Sequence, residues 1–386
     1  MTTWIERALK KALLVLPNAV LSAQSAPPGD APPAPPGVAD GQPEPQKNVG
    51  GQAVIEGVMM RGRDSWAVMV REPDGGITGQ TKPHKAWNRR APWKYPFLRG
   101  LAVLLESLVL GIKALNYSTE VAVSSIEEQE KAKKAEKKAL KDAKNGIVSP
   151  PEAPDLAKAK PGAEAKKSHT LEIVLGLTVG IGLGVVLFVA LPHVLSFWLG
   201  QIGGFDESTF LFHLLDGLLK FGIFLAYIYL IGLIPDIARV YAYHGAEHQA
   251  IHVYEAGLPL EPSSAKAFPT WHRRCGTAFL FLVLAASLLF FAIVFPLLPS
   301  FDGLSRVPRI LAGVGIKILL TPLLAAMAYE VTKLASRPNS GPVWRAMVWP
   351  GLLLQRLTTR KPDDSMLEVA FRSLTAVLPG KTAPGA

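Results

Sequence analysis

The sequence predicts a mainly α-helical polytopic membrane protein, with about four transmembrane helices, amphipathic interfacial helices and a small N-terminal β-rich cytoplasmic domain. Three observations carry this. Charged residues make up 19% of the 386, below the roughly 25% of soluble proteins, and the mean hydropathy is +0.24. The apolar residues after about Leu171 gather into four blocks, while the first half is rich in Pro, Lys and Glu. A single cysteine, Cys275, excludes an intramolecular disulfide framework and a Cys-only metal site but permits one thiolate in a mixed site. Composition argues against an ordinary cytosolic enzyme.

In chain order, residues 1–47 predict an amphipathic start and a Pro-rich tether. Trp4, Ile5, Leu9 and Leu13 recur at helical spacing beside Arg7, Lys10 and Lys11, as in a helix lying on a membrane surface. The same stretch also has the outline of a secretory signal, but Pro17 and Asn18 interrupt its apolar run. Over 48–95, short apolar runs at Ala53–Ile55, Val58–Met60 and Trp66–Val70, separated by turn signals at Gly62–Asp64 and Asp74–Gly76, predict a small β-rich domain that needs other parts of the molecule, or the membrane, to pack against. Residues 96–125 predict an interfacial or packed helix, because Arg99, Glu106 and Lys113 make it a poor span. The mixed-charge stretch 126–170 predicts a solvated helix giving way to a linker.

Four spans are predicted within 171–335, at about 171–197, 211–234, 278–298 and 310–329, each meeting the roughly twenty-residue length of a bilayer crossing. Asp216, Lys220 and Lys317 fall inside them, and such charges face a bundle interior or snorkel to an interface. The segment between the first two spans has no Lys or Arg, whereas the loop 235–275 holds Arg239, Lys266, Arg273 and Arg274, and residues 336–386 are again basic. The positive-inside rule therefore puts both termini and the central loop in the cytoplasm. The net charge of +10 follows from these loops. No nucleic-acid module is recognisable, so the expected partner is the lipid bilayer, not nucleic acid, and no protein partner is named by the sequence.

The chemistry-bearing string is Tyr243-His-Gly-Ala-Glu-His248, followed by His252 and Glu255. On a helix, His244 and His248 lie one turn apart on one face and could both ligate a divalent ion, zinc by donor type. Glu247 completes His-x-x-Glu-His, the inverted zincin spacing, in which the Glu takes the proton of the attacking water. A third ligand is needed, and Glu330, His272, Cys275, His252 and Glu255 are the candidates. Glu330 is favoured by the downstream Glu of zincins, and His272 and Cys275 by their His-x-x-Cys spacing. A closed set of histidines and cysteine would be structural and not catalytic. The bland alternative is a headgroup-facing helix side, with Tyr241, Tyr243 and Tyr254 as an interface belt. His84, among Lys82, Lys85, Arg89 and Arg90, reads as a headgroup contact, and His169, His193 and His213 as boundary residues.

The strings Gly50–Arg61, Tyr243–His248, His272–Thr277 and Pro350–Thr359 together resemble the YqhQ-like family of bacterial membrane proteins of unknown function. The resemblance implies a multi-pass protein of the bacterial plasma membrane, and members are described as predicted metal-dependent enzymes. It assigns no role to Gly50–Arg61 or Pro350–Thr359. Two classes of function remain open. One is a membrane-embedded metal-dependent hydrolase with Glu247 as base. The other is a non-enzymatic transporter, scramblase-like protein or scaffold in which the metal site is structural or sensory and the charges within the spans mark a path.

Overall fold

The computed structural model describes residues 49–89, 91–144, 169–205, 207, 209–272, 275–298, 303–335 and 341–378. The expectations for the amphipathic start, the Pro-rich tether and most of the charged linker lie outside them.

Four strands, β1 (Gly50–Val54), β2 (Gly57–Arg61), β3 (Ser65–Arg71) and β4 (Ile77–Pro83), form an antiparallel meander in sequence order. Their side chains alternate between two covered faces. Val58, Met60 and Ala67 point one way and Met59, Trp66, Val68 and Val70 the other, and all are buried. Burying each of the larger side chains contributes about 1.5–3 kcal/mol. The sheet thus gains on both sides the cover that a unit of its size lacks alone.

Helix α1 (Leu98–Lys144) covers the second face with Leu110 and Ala114. It runs without a break from the expected packed helix into the charged segment, whose Ala, Lys and Glu are strong helix formers. The buried Glu106 on α1 ties it to the sheet: it accepts hydrogen bonds from Arg61 at 2.7 Å and the Trp87 N–H at 2.7 Å, and meets His84 Nε2 at 2.8 Å. His84 is therefore packed against Glu106 and not a headgroup contact. A carboxylate buried on α1 needs several donors, and the basic loop supplies them.

The membrane part comprises α2 (His169–Val185), a π-helical turn (Val186–Ala190), α3 (Leu191–Gly203), α4 (Phe210–Ile231), α7 (Gly276–Val294) and α8 (Arg306–Ala335). Four helices are long and apolar enough to cross a membrane: Thr178–Gly203, Phe210–Ile231, Phe279–Leu297 and Val307–Ala335. Between α4 and α7 lie α5 (Pro235–Glu255) and the short α6 (Pro262–Ala265). After the last span come α9 (Pro342–Thr358) and α10 (Asp364–Thr375). Helix α9 packs on α7 and α8, while α10 packs against α5 and the first face of the sheet. Helix α5 is the junction between the two parts. Tyr243, Ala246 and Ala250 pack with the sheet, and its N-terminus follows α4 after a three-residue break.

Inside the bundle, Lys317 Nζ lies 2.8 Å from Asp216 Oδ2 and 3.0 Å from His193 Nδ1, and Lys220 lies 3.8 Å from Asp216. Asp216, Lys220 and Lys317 thus face the interior and one another, as their cost in lipid requires.

Candidate metal centre

The His-rich string forms α5, which begins with Pro235 at its first turn and Asp236 beside it, both favourable at a helix N-terminus. Its four-residue spacing lines His244, His248 and His252 along one face. The chain then turns through α6, and residues 266–272 run back beside α5. Backbone carbonyls of that segment meet the helix side chains: Phe268 O accepts from Gln249 Nε2 at 2.6 Å, Thr270 O faces His248 Nδ1 at 2.6 Å, and Trp271 O faces His252 Nε2 at 2.9 Å. From the other side, Thr358 O at the end of α9 faces His244 Nδ1 at 2.8 Å. A carbonyl can only accept, so His244 and His248 each carry a proton on Nδ1. Nε2 of each ring is thereby turned away from the carbonyl, the orientation that a carbonyl partner fixes for a metal-binding histidine.

Those nitrogens converge on Cys275, the N-cap of α7. His244 Nε2 lies 3.2 Å from Cys275 Sγ, and one donor atom each from His244, His248 and Cys275 lies within 4.8 Å of the others. His248 Nε2 is buried and has no hydrogen-bond partner among the described residues. Burial pushes the Cys275 thiol up, but the adjoining His248 imidazole and the Thr277 N–H and hydroxyl outweigh it and hold it below its ordinary value. Burial lowers His248 and keeps it neutral. Two imidazoles and a thiol held below its ordinary value are a donor set that fits a tetrahedral zinc-like ion with one position open.

Glu247 is not one of the three converging donors. It is 4% exposed, and burial pushes its carboxyl up to about 8, while His244 and the Gly51 N–H pull it down and Cys275 raises it. Gly51 is required here. A β-carbon on it would stand 2.5 Å from Met59 O and 3.0 Å from Glu247 Cγ, so only glycine lets β1 lie against the carboxylate. Neighbouring residues of the same string dock the sheet on α5. Glu56, in a left-handed turn at φ +51°, receives both Arg239 Nε at 2.6 Å and its terminal nitrogen at 2.5 Å.

The structure brings Cys275 to His244 and His248, and groups His252, Glu255 and His272 one turn further on. It does not bring Glu330 to either cluster. That carboxylate pairs with Arg99 and accepts from the Phe97 N–H at 3.2 Å, because its face of α8 is turned to α1.

Gln355 was not singled out by sequence reasoning. Its side-chain amide clamps the His272 backbone, receiving the N–H at 2.7 Å and donating to the carbonyl at 2.9 Å. Arg360 N–H donates to Tyr241 O at 2.9 Å, and Arg360 O approaches Gly245 so closely that a β-carbon there has no room. The string Pro350–Thr359 thus supports the ligands, and the only sequence signal for it was the string itself.

A family described as "Protein of unknown function (DUF1385)" matches residues 95–380. The chain belongs to this family. It is also 30% identical over 334 residues to "Uncharacterized protein YqhQ" of Bacillus subtilis (strain 168), covering 85% of this chain and 92% of that protein. No solved structure matches the chain. The family match begins after the sheet, so the cover that β1 gives Glu247 lies outside it, although the similarity to the Bacillus protein extends over most of the chain.

Proposed function

We propose that this membrane protein is a metal-dependent hydrolase acting at the cytoplasmic face of the bacterial plasma membrane, with His244, His248 and Cys275 holding a zinc-like divalent ion. The observation that carries the reading is His248 Nε2. It is a buried nitrogen left without a hydrogen bond of good geometry among the described residues, set beside the Cys275 thiol and the His244 ring with one donor atom of each within 4.8 Å of the others. Three acceptors so placed in low dielectric favour a cation between them.

Such an ion supplies Lewis acidity toward a carbonyl and acidifies water. The chain's own residues do the rest. The Thr358 and Thr270 carbonyls hold the two rings in their ligating tautomer. Glu247, buried beside them, takes the proton of the attacking water and returns it to the leaving group of an amide or ester. The Cys275 donor sits where α7 enters the membrane, which suits a substrate presented at the interface. A second reading, a non-enzymatic transporter or scaffold with a structural or sensory ion, is favoured by one observation, the buried Asp216–Lys317 pair within the spans.

The test is purified protein in micelles assayed for metal content and for hydrolysis of a panel of chromogenic esters and amides. Glu247→Gln is expected to keep the ion while hydrolysis falls by about 100-fold or more, the usual contribution of a positioned base, and His248→Ala to lose both. Hydrolysis unchanged in Glu247→Gln would refute its role as base. A metal-loaded wild type without hydrolysis would favour the second reading.

A further inference from the structure

We propose a second metal position one helical turn along α5, formed by His252, Glu255 and His272, taking a first-row divalent cation. One donor atom from each of these residues lies within 4.8 Å of the others. Glu255 Oε2 is 3.4 Å from His272 Nε2, and the His252 and His272 rings stand 4.6 Å apart at 66°. The group is built. His252 is stacked on Phe268 at 5.7 Å with an interplanar angle of 6°, and its Nε2 faces the Trp271 carbonyl, so the ring is fixed in orientation. His272 is 5% exposed, and its backbone is fixed on both sides by Gln355. A side-chain clamp on the ligand-bearing residue is the kind of support that metal sites require of the residues around them.

The spacing explains why two positions, not one, are formed. From His248 to His252 the helix rises about 6 Å, too far for all six side chains to reach one ion. The His248 and His272 rings are 5.9 Å apart, so the two positions are neighbours that share a wall. Their donor sets differ. The first offers a thiolate and two imidazoles and selects a softer ion such as zinc. The second offers two imidazoles and a carboxylate, a set that suits zinc, manganese or ferrous iron and leaves positions open for water or substrate oxygen. The ordinary alternative is an ion pair of protonated His272 with Glu255, which binds no metal. The second position stands on its own donors, so its failure leaves the first untouched.

The experiment is a cobalt(II) titration of the full chain, stripped of metal, free of any polyhistidine tag and held in detergent micelles. Bound cobalt is counted, and the thiolate-to-cobalt charge-transfer band is recorded, since only the Cys275 position can give it. Wild type is expected to take up about two ions per chain, the charge-transfer band accompanying only one of them. His252→Ala/Glu255→Gln should bind about one, with the band intact. His244→Ala/His248→Ala should bind about one, without the band. Glu255→Gln alone, a same-size change at a part-exposed side chain, should weaken the band-silent ion by about tenfold or more. Wild type saturating at one ion with the full band, or Glu255→Gln titrating like wild type, would overturn the second position. Loss of the band from the wild type with one silent ion still bound would count against the first position instead.

Discussion

Two clusters of buried and half-buried ionisable side chains lie toward opposite ends of α4, and they balance their charge differently. In the bundle, the Lys317 ammonium meets the Asp216 carboxylate at 2.8 Å and lies within 6 Å of the Phe212, Phe291 and Phe295 rings. Opposite charges and aromatic faces there offset the cost of leaving water. At the junction of α5 and α7, by contrast, three donors of one kind converge, and none supplies a positive charge. Unpartnered nitrogens do not separate the two, since His193 Nε2 and His213 Nδ1 also lack partners among the described residues. Charge separates them. The His193 ring already faces a cation, the Lys317 ammonium 3.0 Å from its Nδ1, whereas among the described residues His244, His248 and Cys275 turn donor atoms toward one another. Burial alone thus does not mark a metal centre; the kind of group facing the buried atom does.

The sharpest way to break this comparison is Asp216→Asn. It leaves Lys317 without its carboxylate, and a buried pair broken on one side costs about 3–5 kcal/mol. Unfolding in mild detergent should show that loss while metal content stays at the wild-type value. A stable variant would mean that the pair does not offset the burial of Lys317, and one that loses metal would mean that the two clusters are not independent. A smaller effect is expected from Gln355→Ala, which removes both hydrogen bonds to the His272 backbone. It should cost about 1–3 kcal/mol and weaken the ion held by His252, Glu255 and His272 by about tenfold to a hundredfold. The thiolate-bound ion should be less affected, because its rings are held by Thr358 and Thr270, which isothermal titration with each metal-ligand variant as reference can resolve.

Local patterns made much of the architecture readable. The four apolar blocks correspond to the four candidate spans, because hydropathy over about twenty residues is a local property. The apolar runs and turns of 50–83 likewise form strands, and the interior direction of Asp216 and Lys317 follows from the cost of charge in lipid. Long-range pairing was not readable. Nothing local shows that residues 266–272 run back along α5 or that the end of α9 reaches His244, so the carbonyls that fix the two rings were invisible, and Cys275 stood level with Glu330 as a third ligand. Glu330 sits near the end of a span as expected, but its direction around α8 depends on Arg99, more than two hundred residues away. His84 failed for the same reason, since its basic neighbours suggested headgroups while its actual partner, Glu106, lies on another element. The roles of Gly51 and Gln355 are contacts between distant strings, and a single sequence shows the strings without the contacts.

The most direct measurement of the central claim is metal content by mass spectrometry, on protein purified without chelator or polyhistidine tag, beside the His244→Ala/His248→Ala variant at equal yield and monodispersity. About one more thiolate-compatible ion such as zinc per chain in the wild type than in the variant is the expected result. Equal metal content in the two proteins, or none in the wild type, would contradict the metal centre.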